Sequence, residues 1–228
     1  MATWTRRIRR FLLKNGVVSP PHPCAGKYCK TSKPPRFTNS EQEPIYESND
    51  TYLQTMRYPV RDRVMFLLSI KAGLRAKEIA LLTWSMVTDA EGQVAEVLAL
   101  PNAASKGWGG GRMIPLNLTL HTALVALHQR QGDEVYPERP VVYSERGGHL
   151  TASSVTKWFF HLYRDLGMTG CSSHSGRRTF ITQAARKVSE VGGSVRDVQQ
   201  LAGHASLQTT QRYIDGDTEA KRKLVQLI

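Results

Sequence analysis

Hydrophobic residues recur at helical spacing along most of the chain after its first quarter. The first run opens with Pro59, which is favoured in the first turn of a helix, and Gly73 breaks it. A second helix is predicted to follow Arg75. Apolar residues at the same spacing predict further helices over 118–131 and 151–166. The pattern therefore predicts a mostly helical domain.

Two short apolar segments have the character of strands instead. Val94–Leu100 is rich in Val and Leu, and Arg112–Leu116 can pair with it as the second strand of a hairpin. The glycine-rich stretch 103–111 would connect them and would carry Lys106 near its tip. The predicted fold class is mainly α with a small antiparallel β-sheet (α+β).

The first fifty residues differ from the others in composition and charge. Residues 15–45 hold six prolines among Ser, Lys and Gly, which favours an extended segment over a packed one. The formal net charge of the chain is +12, and its first forty residues contain nine Lys or Arg and no acidic residue, which leaves +3 for the rest. We therefore predict a basic, Pro-rich arm or linker over 1–50.

A basic arm ahead of a compact domain favours a polyanion as partner, and nucleic acid is the commonest one. The alternative interpretation is a solvated tail that aids solubility. The candidate DNA contacts are Arg6, Arg7, Arg9 and Arg10 in the arm, with Lys157 and Arg178 in the compact domain.

Cysteine usage and hydropathy limit the other classes of protein. Cys24, Cys29 and Cys171 form no disulfide framework, which suits a reducing cytoplasm. Cys24 and Cys29 with His22 could be part of a zinc knuckle, but no second ligand pair follows in the arm. No apolar run reaches the roughly 18 residues of a membrane span, and neither a P-loop nor an acidic metal cluster occurs. We expect a cytoplasmic protein without a membrane segment, a metal or a cofactor.

Residues suited to phosphoryl chemistry concentrate in forty positions near the C-terminus. His174 and Arg177 are three apart at the start of a predicted helix, so they share one face and can converge on one small group. An Arg guanidinium can hold two oxygens of an anion. Gly203 suits the left-handed end of another helix, with the His204 imidazole beside it as a donor, and Tyr213 follows on a short polar helix.

Together, His-x-x-Arg, Leu-x-Gly-His-x-Ser and Thr-Thr-x-x-Tyr at these spacings resemble the tyrosine recombinases, also called the phage integrase family. The resemblance extends upstream through Gly-Leu-Arg75-Ala-Lys-Glu78 and the Lys106 hairpin, and it covers roughly residues 55–215. It departs at Ser175 and Gly176, where the family usually has an acidic and an apolar residue. Gly176 also weakens the predicted helix start.

The resemblance implies a tyrosine recombinase catalytic-domain fold, the fold of DNA breaking-rejoining enzymes, over 51–214, with a tail helix over 215–228. It implies phosphoryl transfer on double-stranded DNA without a metal or nucleotide. Tyr213 would attack the scissile phosphate and form a 3′-phosphotyrosyl link. The matching catalytic positions are Arg75, Lys106, His174, Arg177, His204 and Tyr213, with Glu78 supporting Arg75.

The implied function is site-specific DNA recombination or integration by a bacterial, phage or mobile-element protein. Such a protein would work as a homo-oligomer, a synaptic tetramer on DNA, with accessory DNA-bending proteins as candidate partners. Most family members carry a helical core-binding domain ahead of the catalytic domain, which fifty Pro-rich residues cannot form. Two alternatives remain open: a type IB topoisomerase that relaxes supercoils, and a truncated, noncatalytic DNA-binding remnant.

Overall fold

The computed structural model describes residues 49–101, 111–168, 170–213 and 225–226. The arm predicted over 1–50 falls outside these ranges except for its last two residues, and so does most of the tail after 213. The predicted DNA contacts Arg6, Arg7, Arg9 and Arg10 and the hairpin residue Lys106 therefore lie outside the described residues.

Helices form most of the described chain, and a helical segment at 49–53 precedes the first long one. The α-helices are α1 (Pro59–Lys71), α2 (Ala76–Leu81), α3 (Leu118–Gln131), α4 (Ala152–Asp165), α5 (Ser175–Lys187), α6 (Val195–Ala202) and α7 (Leu207–Gln211). Short 3-10 helices lie at Trp84–Met86, Gly132–Glu134 and Val188–Val191. The strands are β1 (Val97–Leu100) and β2 (Arg112–Pro115). The predicted fold class is confirmed.

Helix α1 supplies much of the core. Pro59 starts it, and every residue from Val64 to Ile70 is buried because α1 packs against α2, α3 and α5 together. A helix enclosed on this many sides is apolar over most of its circumference. Helix α4 packs against α2. Its N-cap Thr151 accepts a hydrogen bond from the Ser154 backbone N–H at 3.0 Å, as predicted.

The two strands pair antiparallel, with Leu98 opposite Ile114 and Leu100 opposite Arg112. The prediction of a strand from Val94 was wrong at its start. The Ala95 backbone N–H donates to the Val87 carbonyl at 2.9 Å instead, so this part of the chain is held by the preceding loop. Leu98, Leu100 and Ile114 are buried, and the same alternation turns Arg112 toward the interior.

A small second cluster joins α5 to α6. Ile181 and Val198 are buried there with Ala202, the last residue of α6, and the Tyr213 ring packs at its edge. Contacts with this cluster help to hold Tyr213 near the end of α6. No helix of the described ranges is both long and apolar enough to cross a membrane.

Candidate active site

Arg75 occupies the corner between α1 and α2, where it is the N-cap residue of α2. The carboxylate of Glu78, one turn later, accepts from the Arg75 backbone N–H at 2.7 Å and pairs with Arg75 Nη1 at 2.7 Å. The Glu78 side chain is 1% exposed, whereas that of Arg75 is 25% exposed. Glu78 thus holds the Arg75 guanidinium from its buried side, while part of the guanidinium stays accessible to a ligand.

A second arginine, Arg112 at the start of β2, shares the same carboxylate. Its Nη2 pairs with Glu78 Oε2 at 2.8 Å, and its Nη1 donates to the Ala202 carbonyl at the end of α6. Burial lowers the pKa of Arg112, and nearby Arg75 lowers it further, while Glu78 opposes both effects. Sequence reasoning assigned Arg112 only to a strand. The available signal was its position two residues before Ile114, on the inward face of β2.

Arg177 lies in the first turn of α5 and is almost completely buried. Its Nη1 donates to the Gly73 carbonyl and its Nη2 to the Ala202 carbonyl, both at 2.5 Å. Burial lowers the pKa of Arg177 to about 9, and the charges of Arg75 and Arg112 add to this effect. The guanidinium is still charged at neutral pH, and an anion beside it would be stabilising because an opposite charge favours the charged form.

The three guanidinium groups meet at the C-terminal end of α6. Ala202 O accepts from both Arg112 and Arg177, and Arg75 Nη2 lies 3.5 Å from the Gly203 carbonyl. Among the described residues, Glu78 is the carboxylate paired with these arginines, so the cluster carries three positive charges and one negative. Such an excess of buried positive charge is the electrostatic requirement for binding a phosphate group.

Gly203 ends α6 in the left-handed conformation, with φ of 60° and ψ of 47°, as predicted. A Cβ atom at this position would lie 2.5 Å from Arg112 Nη1, so a side chain cannot be added without displacing the arginine. The turn places His204 directly beside the arginine cluster. There burial lowers the pKa of His204 to about 4, and Arg177, Arg75 and Arg112 contribute in that order, so the imidazole is neutral at pH 7.

His204 is held by the short helix that follows it. Its Nδ1 lies 3.0 Å from the hydroxyl oxygen of Thr210 in α7. Tyr213 follows the C-cap residue of α7, Arg212, and its ring stacks on the His204 ring with centroids 5.6 Å apart. The Tyr213 backbone N–H donates to the Thr210 carbonyl at 2.9 Å. The predicted nucleophile and the predicted donor are therefore in contact.

His174 is the N-cap residue of α5, so it begins the helix in which Arg177 lies. The imidazole is exposed on one side, yet partial burial lowers its pKa, and Arg178, Arg177 and Arg75 lower it further. His174 is thus within electrostatic reach of the cluster and favours its neutral form. Of the other predicted DNA contacts, Lys157 is exposed on α4 and Arg178 is half-buried on α5.

Over the described ranges, no three His, Cys, Asp or Glu side chains are grouped to hold a metal ion. The candidate zinc-knuckle residues Cys24, Cys29 and His22 lie outside those ranges. The groups that converge at the end of α6 are guanidinium and imidazole donors, which suit an anionic ligand.

The sequence model of the Phage integrase family matches residues 36–220, most of the chain. The chain belongs to the phage integrase family. Among curated relatives, tyrosine recombinase XerC of Brucella suis biovar 1 (strain 1330) is 25% identical over 217 residues, which cover 94% of this chain and 65% of the relative. XerC of Myxococcus xanthus is 30% identical over 161 residues, 68% of this chain and 50% of the relative. The chain thus spans at most 65% of the length of these two proteins.

Solved tyrosine recombinase structures share the fold. XerH bound to palindromic difH substrate superposes with a TM-score of 0.66 at 22% identity, over 90% of this chain and 56% of XerH. The integrase of the Tn1549 transposon gives a TM-score of 0.63 at 19% identity, over 87% of this chain and 67% of the integrase. XerA gives a TM-score of 0.63 at 20% identity, over 98% of this chain and 73% of XerA. The predicted tyrosine recombinase catalytic-domain fold is confirmed.

Proposed function

We propose that residues 51–214 are the catalytic domain of a site-specific DNA recombinase, which cuts and rejoins DNA through a 3′-phosphotyrosyl intermediate. One observation carries the proposal. Arg75, Arg177 and His204 converge at the end of α6, and the Tyr213 ring stacks directly on His204.

The arginine cluster would bind the scissile phosphate. Arg177 uses one N–H of each terminal nitrogen on a backbone carbonyl, and a guanidinium has five N–H donors, so others remain for nonbridging oxygens. These hydrogen bonds to the two carbonyls fix the plane of the Arg177 guanidinium before DNA binds. Arg75, held by Glu78, and His204 would supply further donors. Fixed donors of this kind stabilise developing negative charge without reorganisation in the transition state.

Tyr213 would then attack the phosphorus atom. A bond forms between the phenol oxygen and phosphorus, and the bond from phosphorus to the 5′-oxygen breaks. The free phenol has a pKa of about 10, so its proton needs an acceptor. His174 is suited to this role because its lowered pKa keeps the ring neutral. Lys106 would protonate the leaving 5′-oxygen. The reverse reaction with a hydroxyl from another strand would rejoin the DNA.

Double-stranded DNA is the proposed substrate, and the net charge of +12 supports a polyanionic partner. Related structures include XerH bound to difH substrate and a lambda integrase dimer bound to a core site. We extend this to a homo-oligomer on DNA, a synaptic tetramer during strand exchange, with accessory DNA-bending proteins. The XerC relatives are bacterial, which supports a cytoplasmic protein of a bacterium or its mobile elements.

A covalent trapping assay tests the cleavage chemistry. Wild-type protein and Tyr213→Phe would be incubated with nicked duplexes from the flanks of the gene, then denatured and resolved by size. We expect a protein–DNA adduct in the wild type that survives a chelator and is lost in Tyr213→Phe, although this variant still binds DNA. Salt-sensitive binding without any adduct would instead support a noncatalytic DNA-binding protein. Product analysis then separates strand exchange from relaxation of supercoils.

The proposed surface contacts have their own measurement. Removing one phosphate contact lowers the slope of log affinity against log salt by about one. Lys157→Ala is expected to show this change while the adduct still forms on saturating DNA. An unchanged slope would remove Lys157 from the interface.

A further inference from the structure

Thr210 is the residue whose side chain contacts the imidazole of His204. It lies in α7, its relative exposure is 0%, and its hydroxyl oxygen is 3.0 Å from His204 Nδ1. Within the ranges the structure describes, this is the only hydrogen bond of the Thr210 side chain. The direction of this one bond decides which ring nitrogen of His204 carries the proton.

The two directions are not equivalent for a buried hydroxyl. If Nδ1 donated to it, the hydroxyl hydrogen would be buried without an acceptor, and an unsatisfied buried donor is costly. If the hydroxyl donates to Nδ1, its hydrogen is satisfied and Nδ1 presents its lone pair. A neutral imidazole has a single N–H, so the proton must then reside on Nε2.

We infer that Thr210 is a positioning residue, whose hydroxyl donates to Nδ1 and holds His204 as the neutral Nε2–H tautomer. Through it, Nε2 becomes a donor for a nonbridging oxygen of phosphate. The identity of that anion rests on the proposed function, whereas the tautomer does not.

The surroundings of the ring agree with this assignment. Nε2 of His204 has no hydrogen-bond partner in the described part of the chain, so it is available to a ligand. Burial, and after it the charges of Arg177, Arg75 and Arg112, disfavour the doubly protonated ring, and the pKa of about 4 keeps it neutral. A neutral ring with its proton on Nδ1 would turn a lone pair toward an anion and repel it. The hydroxyl of Thr210 disfavours the Nδ1–H tautomer because it donates to Nδ1.

The same residue links the donor to the nucleophile. The Thr210 carbonyl accepts from the Tyr213 backbone N–H at 2.9 Å, while the Thr210 side chain contacts His204. Movement of α7 away from the domain would therefore withdraw the phenol and, at the same time, break the hydrogen bond that fixes the tautomer of His204. His204 is therefore held with Nε2 as a donor only while α7 and Tyr213 are packed against the domain.

Nitrogen NMR of the DNA-free protein tests the tautomer without any activity. Long-range proton–nitrogen spectra of the ¹⁵N-histidine-labelled wild type at pH 7 are expected to show a protonated Nε2 and an unprotonated Nδ1, with the signals assigned by a His204→Asn variant. Thr210→Ser keeps the hydroxyl and should keep this pattern. Thr210→Val, equal in shape, should raise the population of the Nδ1–H form, because the hydroxyl that donates to Nδ1 is gone. A wild type protonated at Nδ1 would overturn the inference, and so would a Val variant with an unchanged tautomer.

Adduct formation tests the consequence for chemistry. Thr210→Val is expected to lower the rate of covalent attachment on the order of tenfold to a hundredfold, less than outright loss of a transition-state donor, at unchanged DNA affinity. Thr210→Ser should stay within about threefold. Equal rates in the Val and Ser variants would contradict a role in catalysis. Absence of adduct from every protein, the wild type included, would instead reject the proposed function, and the spectra would still decide the tautomer.

Discussion

The imidazole of His204 stacks on the phenol of Tyr213, with ring centroids 5.6 Å apart and planes inclined by 22°. These residues bound a ten-residue segment that contains α7, and Thr210 contacts both of them. Tyr213 also packs against the small cluster made by α5 and α6. The position of the phenol relative to the arginine cluster is therefore set by His204 together with this small apolar cluster.

The excess charge of the arginine cluster predicts that an anion stabilises the DNA-free protein. Phosphate bound by the folded state alone should, at ten times its dissociation constant, add about 1.4 kcal/mol to the free energy of unfolding. For a chain of this length that raises the melting temperature on the order of 3–5 °C. Thermal melts in phosphate, against chloride of equal ionic strength, would measure the shift.

The matched variants for this melt remove one positive charge each. Arg75→Gln should abolish most of the phosphate effect because Arg75 faces the open side of the cluster. Lys157→Gln, on the exposed face of α4, should leave it intact. An equal loss in both variants would show a general charge effect instead of a site.

Arg112→Met is predicted to be strongly destabilising. It leaves the buried Glu78 carboxylate with one partner fewer, and breaking a buried pair from one side costs about 3–5 kcal/mol. The same substitution at Arg57, whose pair with Glu145 is largely exposed, should cost less than about 1 kcal/mol. Urea denaturation of the two variants gives the comparison, and similar small losses would refute the structural importance of Arg112.

Gly176→Ala tests the departure from the family pattern. Helix α5 starts at Ser175 despite the glycine, and the missing side chain at Gly176 lets the helix approach α1 closely. A Cβ atom here would clash with the Ser69 hydroxyl oxygen and would lie 2.8 Å from Ile70 Cγ2. We expect a loss of about 1–3 kcal/mol in the free energy of unfolding.

Ser69→Ala provides the partner for that variant. The Ser69 hydroxyl is buried without a hydrogen-bond partner among the described residues, so its removal alone should cost little. In the double variant it should restore part of the stability that Gly176→Ala loses, since the nearest contact is gone. Additive losses in denaturant melts would mean that the two sites do not touch.

The depressed pKa of His204 predicts a pH-dependent loss of stability. The unfolded chain takes up a proton on this residue near pH 6.5, whereas the folded protein does so only near pH 4. The free energy of unfolding should therefore fall as the pH drops from 6.5 toward 4, and should not respond to this residue above that window. His204→Gln, measured by urea denaturation at several pH values, should show a shallower fall. Equal slopes for both proteins would contradict the shift.

Local sequence predicted the helices well. Pro59 marks the start of α1, Thr151 caps α4 and Gly203 ends α6, as their conformational preferences require. The start of β1 was predicted too early, because Val94 has strand character but bridges to Thr88. Whether an apolar residue joins a given sheet depends on which segment lies beside it, and that is not a local property.

The sequence by itself determined which residues are present for phosphoryl chemistry, and where helices that carry them begin and end. Only the tertiary structure decided that Arg112 joins Glu78 across 34 positions, and that Arg177 bonds to the Gly73 carbonyl across 104. Capping and periodicity act over one or two turns, so a short stretch encodes them. A buried charge is stable only with partners from distant segments, and packing alone brings those together.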